Sequence, residues 1–122
     1  MAGLNRRVGI CATLFLAGTL LAGCGTSAGV AEARHACSYV AQALKLEQRA
    51  KSLSGSAQAQ MQSDAMATLI RGNSYAARAT SADGQWNALQ TTIGEAQRVP
   101  ISDLAPSLRR ICQVANSASP YL

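Results

Sequence analysis

The sequence predicts an all-α fold, a small up-down four-helix bundle closed by one disulfide. Apolar residues recur at spacings of three and four along most of the chain, and alanine supplies 24 of the 122 residues. That spacing places apolar side chains on one face of a helix, and alanine is the strongest helix former. Short Gly-, Ser- and Pro-containing breaks divide the pattern into four stretches, and a chain of this length provides one ordinary domain.

The first two predicted helices occupy residues 31–53 and 56–79 and are separated by Ser-Gly-Ser at 54–56. Residues 72–74, Gly-Asn-Ser, are a weak point of the second helix, where we expect a kink or an early end. The apolar positions of both helices are predicted to face the core. They are Tyr39, Ala43, Leu46, Ala50 and Leu53 in the first helix, and Ala57, Met61, Ala65, Met66, Leu69, Ile70 and Ala77 in the second.

The third predicted helix covers residues 83–98, after a turn at 80–84. Val99 precedes Pro100, and a residue before proline is disfavoured in the α region, so this helix should end there. The fourth should begin with Ser102 or Asp103 as its N-cap, which leaves Pro106 in a first turn that tolerates proline. The polar segment 116–120 should end it. Short connections between amphipathic helices predict antiparallel neighbours.

The N-terminal residues have the layout of a secretory signal. Arg6 and Arg7 precede an uncharged stretch at residues 8–23, which is shorter than the roughly 20 apolar residues that span a bilayer. The motif Leu-Ala-Gly-Cys at residues 21–24 then resembles the lipobox of bacterial lipoproteins. An ordinary cleaved signal, an uncleaved anchor and an accidental apolar segment are the alternatives.

The lipobox resemblance implies a division of the chain into three parts. Residues 1–23 would be a signal peptide that is removed, and Cys24 would become the lipidated first residue, carrying a thioether diacylglyceryl group such as one with palmitate chains. Residues 24–30 would form a flexible tether, and 31–122 the helical bundle. Two or three acyl chains hold a small protein at a membrane almost permanently. The expected location is therefore the extracytoplasmic face of a cell membrane.

Lipidation at Cys24 and loss of Cys11 with the signal would leave Cys37 and Cys112. In an oxidising compartment an isolated pair most simply forms a disulfide, although two buried free thiols are the alternative. Cys37 lies near the start of the first predicted helix and Cys112 near the end of the last. Those positions are at the same end of four up-down helices and at opposite ends of three, so the disulfide and the four-helix count support each other.

The charge pattern argues against a nucleic-acid partner and leaves a membrane contact open. Without Arg6 and Arg7 the formal net charge falls from +5 to +3, a small excess on few aromatics. Nine arginines against two lysines, with much alanine, are typical of a GC-rich genome such as an actinobacterial one. Five arginines are predicted at the anchored end, where they would form a basic collar facing anionic lipid or would only complement helix dipoles. They are Arg34, Arg71, Arg78, Arg109 and Arg110.

The sequence offers little chemistry for catalysis. His35 is the single histidine, so no multi-histidine metal site is expected, and the six carboxylates are predicted to be scattered. We expect no cofactor and no enzyme. Trp86 with the methionines is predicted to pack in the core, with an apolar ligand pocket near Trp86 as the alternative. The leading hypothesis is a non-enzymatic lipoprotein that binds membrane lipid through Cys24 and an envelope protein through its surface.

Overall fold

The computed structural model describes the backbone of residues 6–121 and the side chains of residues 27–121. These residues form an all-helical fold without strands. It has four arms, and neighbouring arms run antiparallel. The arms are α1 (Arg6–Ala50), the pair α2 (Gly55–Arg71) and α3 (Asn73–Ala82), the 3-10 turn Gly84–Trp86 with α4 (Asn87–Glu95), and α5 (Ile101–Asn116). Helix α1 contacts α2, α3 and α5, and α4 contacts α3 and α5, so the arms close into a ring. The predicted up-down four-helix bundle is confirmed.

Helix α1 differs from the prediction at both ends. It is continuous from Arg6 and therefore runs through residues 24–30, where the sequence predicts a flexible tether. Gly29 and Val30 are buried, and an atom at the Cβ position of Gly29 would lie 3.0 Å from the Cβ of Asp83. The packed domain therefore begins before residue 31. At the other end α1 stops at Ala50 rather than Leu53 because residues 51–54 turn towards α2.

The second arm bends at Gly72, the weak point that the sequence indicates. Its backbone lies so close to α1 that a Cβ there would be 3.2 Å from both the carbonyl oxygen of Ala36 and the Cβ of Tyr39. The φ angle of Gly72 is −69°, which any residue can adopt, so close approach to α1 is what favours glycine. The bend divides the predicted helix 56–79 into α2 and α3.

The third and fourth arms are shifted from their predicted bounds. Asp83 accepts a hydrogen bond from the backbone N–H of Gln85 at 3.2 Å and caps the 3-10 turn, and α4 ends at Glu95 rather than Arg98. Helix α5 begins at Ile101 after Pro100, and neither Ser102 nor Asp103 caps it. Pro106 is therefore the sixth helical residue and not part of the first turn, so α5 lacks the backbone hydrogen bond that this position would donate to the carbonyl of Ser102.

One disulfide joins the first and last arms, as the cysteine positions predict. Cys37 and Cys112 are bonded, with their Cα atoms 5.5 Å apart and a separation of 75 positions in the sequence. Both are buried, so the bond lies at the edge of the core where α1 meets α5.

The core combines a few large side chains with many alanines. Trp86, Leu69, Leu89, Ile93, Leu108 and Val40 are its largest fully buried members. Buried alanines on α1 and α3 allow those two helices to approach closely. The predicted inward direction of Met66 and Ile70 is wrong: their exposed fractions are 38% and 39%, because α2 turns Ala65 and Leu69 towards α1 instead.

Candidate functional site

Arg34 is bound to the end of α5. Its Nε donates a 2.7 Å hydrogen bond to the carbonyl of Ala115, and a terminal nitrogen donates one of 3.2 Å to the carbonyl of Ser117. The last carbonyls of a helix have no hydrogen-bond donors within the helix, and Arg34 provides donors for them. These bonds hold the chain that leaves α5 against α1.

Arg78 contacts Glu32 and Tyr75 on another side of α1. Its Nε lies 3.2 Å from a carboxylate oxygen of Glu32, and its guanidinium carbon lies 4.5 Å from the ring centroid of Tyr75. The adjacent carboxylate of Glu32 raises the pKa of Arg78 above its ordinary value. Arg78 therefore forms an ion pair and a cation–π contact within the protein.

The five arginines of the predicted collar lie at several positions along the bundle axis. Arg34 is about 10 Å along α1 from Ser27, and Arg78 lies near Glu32 at a similar level. Arg109 lines a cavity with Ala41, which is about 21 Å along α1 from Ser27. Arg110 is next to Arg109 and exposed, and Arg71 is exposed at the end of α2. All five arginines are exposed, and the basic collar stays a prediction.

The structure brings together a group of rings that the sequence analysis does not predict as a site. The ring centroids of His35 and Tyr75 are 5.3 Å apart with an interplanar angle of 11°, and those of Tyr39 and Tyr75 are 5.6 Å apart with an angle of 25°. With Glu32 and Arg78 these three rings form what we call the aromatic–arginine face, on the outside of α1 and α3. Tyr39 and Tyr75 are partly buried, while His35 and Arg78 are exposed.

A signal for this face is present in the sequence. Residues 32, 35 and 39 are spaced by three and four, and residues 75 and 78 by three, so each set lies on one side of a helix. The sequence does not reveal that these two sides meet, because their meeting depends on the bend at Gly72 that lays α3 against residues 32–39 of α1. His35 is exposed, and its ring is stacked on that of Tyr75.

Trp86 lies in the core, as the leading prediction states. It is 0% exposed, it packs against Gly29, and its Nε1 has no hydrogen-bond partner among the described residues. None of the four cavities described here is lined by Trp86. The cavity with Met66 in its wall has a volume of about 260 Å³ and lies between α2 and the start of α5.

Two further cavities lie between α1 and α5, and one lies at the end of the bundle. The larger of the first two has a volume of about 420 Å³ and is lined by Val40, Leu44 and Arg109 beside the disulfide. The smaller, of about 120 Å³, continues from it past Leu44 and Arg109 towards Lys51. The fourth, of about 410 Å³, lies between Ser27 and Tyr121.

Among residues 27–121, no group of three or more His, Cys, Asp or Glu side chains is arranged to hold a metal ion. In the same range, no helix is both long enough and apolar enough to span a membrane. Comparisons of the chain with protein-family models, with curated proteins and with solved structures found no match. The predicted lipidation site Cys24 lies outside the described side chains.

Proposed function

We propose that this protein is a non-enzymatic lipoprotein of the extracytoplasmic membrane surface, held there by acyl chains on Cys24, and that it binds an envelope protein through the aromatic–arginine face. The observation that carries the contact role is the stacking of His35, Tyr39 and Tyr75 beside Arg78 at the surface. The anchor rests on the lipobox resemblance at residues 21–24.

The disulfide supports an extracytoplasmic location. Disulfides persist in oxidising compartments and are rare where thiols are kept reduced. Cys37 and Cys112 are bonded in a small bundle whose core contains many alanines, so the bond is a sizeable part of its stabilisation. A protein built in this way is suited to the outside of a membrane.

The aromatic–arginine face has the composition of a binding surface. Tyrosine and arginine are over-represented among the residues that dominate protein–protein affinity. Tyr39 and Tyr75 are the only tyrosines outside the C-terminal segment, and both lie here with the single histidine. The mutual stacking of these rings limits their motion, so a partner would lose little side-chain entropy by binding them. The stacking also occupies ring faces, which leaves ring edges and polar atoms for the partner.

The anchor is tested by metabolic labelling with an alkyne analogue of palmitate in the host, followed by membrane fractionation. We expect the wild-type chain to be labelled and to sediment with membranes, and Cys24→Ser to be unlabelled and released. Cys11→Ser is the matched control, and it should behave as wild type. Membrane retention and labelling of Cys24→Ser would contradict the anchor.

The contact role is tested by placing a photo-crosslinking amino acid at single exposed positions of the membrane-bound protein. Ser74 borders the aromatic–arginine face on α3, whereas Ser63 is exposed on α2 away from it. We expect one defined crosslinked species from position 74, its loss when Tyr75→Ala is added, and no such species from position 63. Equal crosslinking from both positions, or crosslinking unaffected by Tyr75→Ala, would refute a role for this face.

A further inference from the structure

The two cavities between α1 and α5 form one elongated channel along the surface, which we call the α1–α5 groove. The larger cavity, about 420 Å³, is lined by residues within 37–44 and 109–116, and the smaller, about 120 Å³, by residues within 44–51 and 102–109. Leu44 and Arg109 line both. From residue 37 to residue 51 the groove follows α1 for about 21 Å.

The larger end of the groove is mainly apolar. Val40 and the Cys37–Cys112 disulfide are buried beneath it, with Ala41 and Leu44 along one side. Gln113 and Asn116 are the polar residues at its far rim. The small side chain of Ala41 keeps this end open, because a larger residue there would extend into the space that a ligand would occupy.

The smaller end has two cations beside the apolar side chains of Leu44, Ala105 and Pro106. Lys51 and Arg109 line it with Gln48 and Ser102, against the single carboxylate of Glu47. Among the described residues neither Lys51 nor Arg109 forms an ion pair with a carboxylate, since the ion pairs there are Arg78 with Glu32 and Arg98 with Glu95. The cations of Lys51 and Arg109 and the uncharged donors of Gln48 and Ser102 thus line a cavity of about 120 Å³.

We propose that the α1–α5 groove binds a single-chain fatty acid, with its carboxylate between Arg109 and Lys51 and its alkyl chain over Leu44, Ala41 and the disulfide. The combined volume falls within the range of small-ligand sites, about 300–1,000 Å³. The apolar end matches an alkyl chain, and the cationic end matches one carboxylate. This proposal does not depend on the anchor at Cys24 or on the aromatic–arginine face.

The test uses the full chain, produced in an exporting bacterial host and reconstituted in phosphatidylcholine nanodiscs. The probe is palmitic acid with a photoreactive diazirine in its chain. Mass spectrometry of the digested protein should place adducts on the peptides that contain residues 37–44 and 109–116. Unlabelled palmitic acid should displace the probe, and its uncharged methyl ester should require at least tenfold more.

Two pairs of matched variants test the two ends separately. Arg109→Gln should raise the probe concentration needed for half-maximal labelling by about three- to fivefold, and the double variant with Lys51→Gln should raise it by about tenfold or more. Arg110→Gln should change this concentration by less than about twofold. Ala41→Trp should abolish labelling in the groove, and the neighbouring exposed Gln42→Trp should leave it intact. Circular dichroism and an intact-mass measurement of the disulfide show that each variant has folded.

Three results would overturn the proposal. Adducts spread over the surface without enrichment in the groove would show partition into the nanodisc lipid. Equal displacement by the methyl ester and the acid would show that the carboxylate is not recognised. Labelling that Ala41→Trp does not reduce, in a folded variant, would show that the chain lies elsewhere.

Discussion

The disulfide between Cys37 and Cys112 should provide a large part of the stability of this bundle. Its reduction removes a cross-link that closes a loop of 75 residues. In the chain-entropy model the loss of such a cross-link costs about 4 kcal/mol at 25 °C. Domains have total stabilities of about 5–15 kcal/mol, and many buried positions here are alanines that contribute little burial each.

The effect is measured by urea unfolding, followed by circular dichroism, in the full chain with Cys11→Ser and Cys24→Ser. These substitutions leave the Cys37–Cys112 pair as the only thiols. With a urea slope of about 1–2 kcal/mol per molar, reduction should lower the midpoint by about 2–4 M. Cys37→Ala with Cys112→Ala should reproduce the reduced form, apart from small packing changes.

An unchanged midpoint after complete reduction would refute this reasoning. It would mean that the reduced unfolded chain is already as restricted as the oxidised one. The slope provides a second check: a cross-linked unfolded chain exposes less surface, so the slope should rise on reduction.

Further predictions concern packing, helix capping and the membrane. Gly29→Val should destabilise by about 1–3 kcal/mol in urea unfolding, because its side chain would collide with Asp83 and Trp86. Trp86→Ala should lower the free energy of unfolding by about 3–5 kcal/mol. Trp86→Phe should lower it by less than half of that, because the Phe substitution also removes an unpaired buried N–H. Arg34→Gln should increase hydrogen exchange of the residues after α5 and lower stability by about 1–2 kcal/mol, whereas an equal effect of Arg110→Gln would contradict the capping role. The Cys24→Ser form should sediment equally weakly with neutral and anionic liposomes. Sedimentation that increases with anionic lipid would support the basic collar instead.

The helices could be predicted from local sequence, while their contacts could not. Spacings of three and four, with the breaks at 54–56 and at Pro100, are local signals, and they located four arms. The exposure of Met66 and Ile70 depends on how far α2 rotates about its axis when Ala65 and Leu69 meet α1. Helical spacing alone does not define that rotation, because alanine and methionine stripes lie side by side on this helix.

The candidate sites also differ in how much of them the sequence predicts. The cysteine pair was predictable because chain topology alone decides whether two helix ends can meet. The aromatic–arginine face and the α1–α5 groove each combine residues from two helices. The sequence of one helix does not show which side of the other helix it will contact. Arg109, one of the arginines of the predicted collar, lines the groove about two turns from the end of α5.

The chain that leaves α5 has a practical consequence for anyone who labels this protein. Arg34 holds Ser117, Gln85 donates a hydrogen bond to the carbonyl of Pro120, and Tyr121 lies beside the same cavity as Ser27. A fluorescent protein fused after residue 122 would thus sit next to the first turn of the bundle, where it would crowd any attachment at Cys24. The exposed turn at residues 51–54 is at the opposite end of the bundle, and a short epitope inserted after Ser52 would leave the end near Cys24 undisturbed.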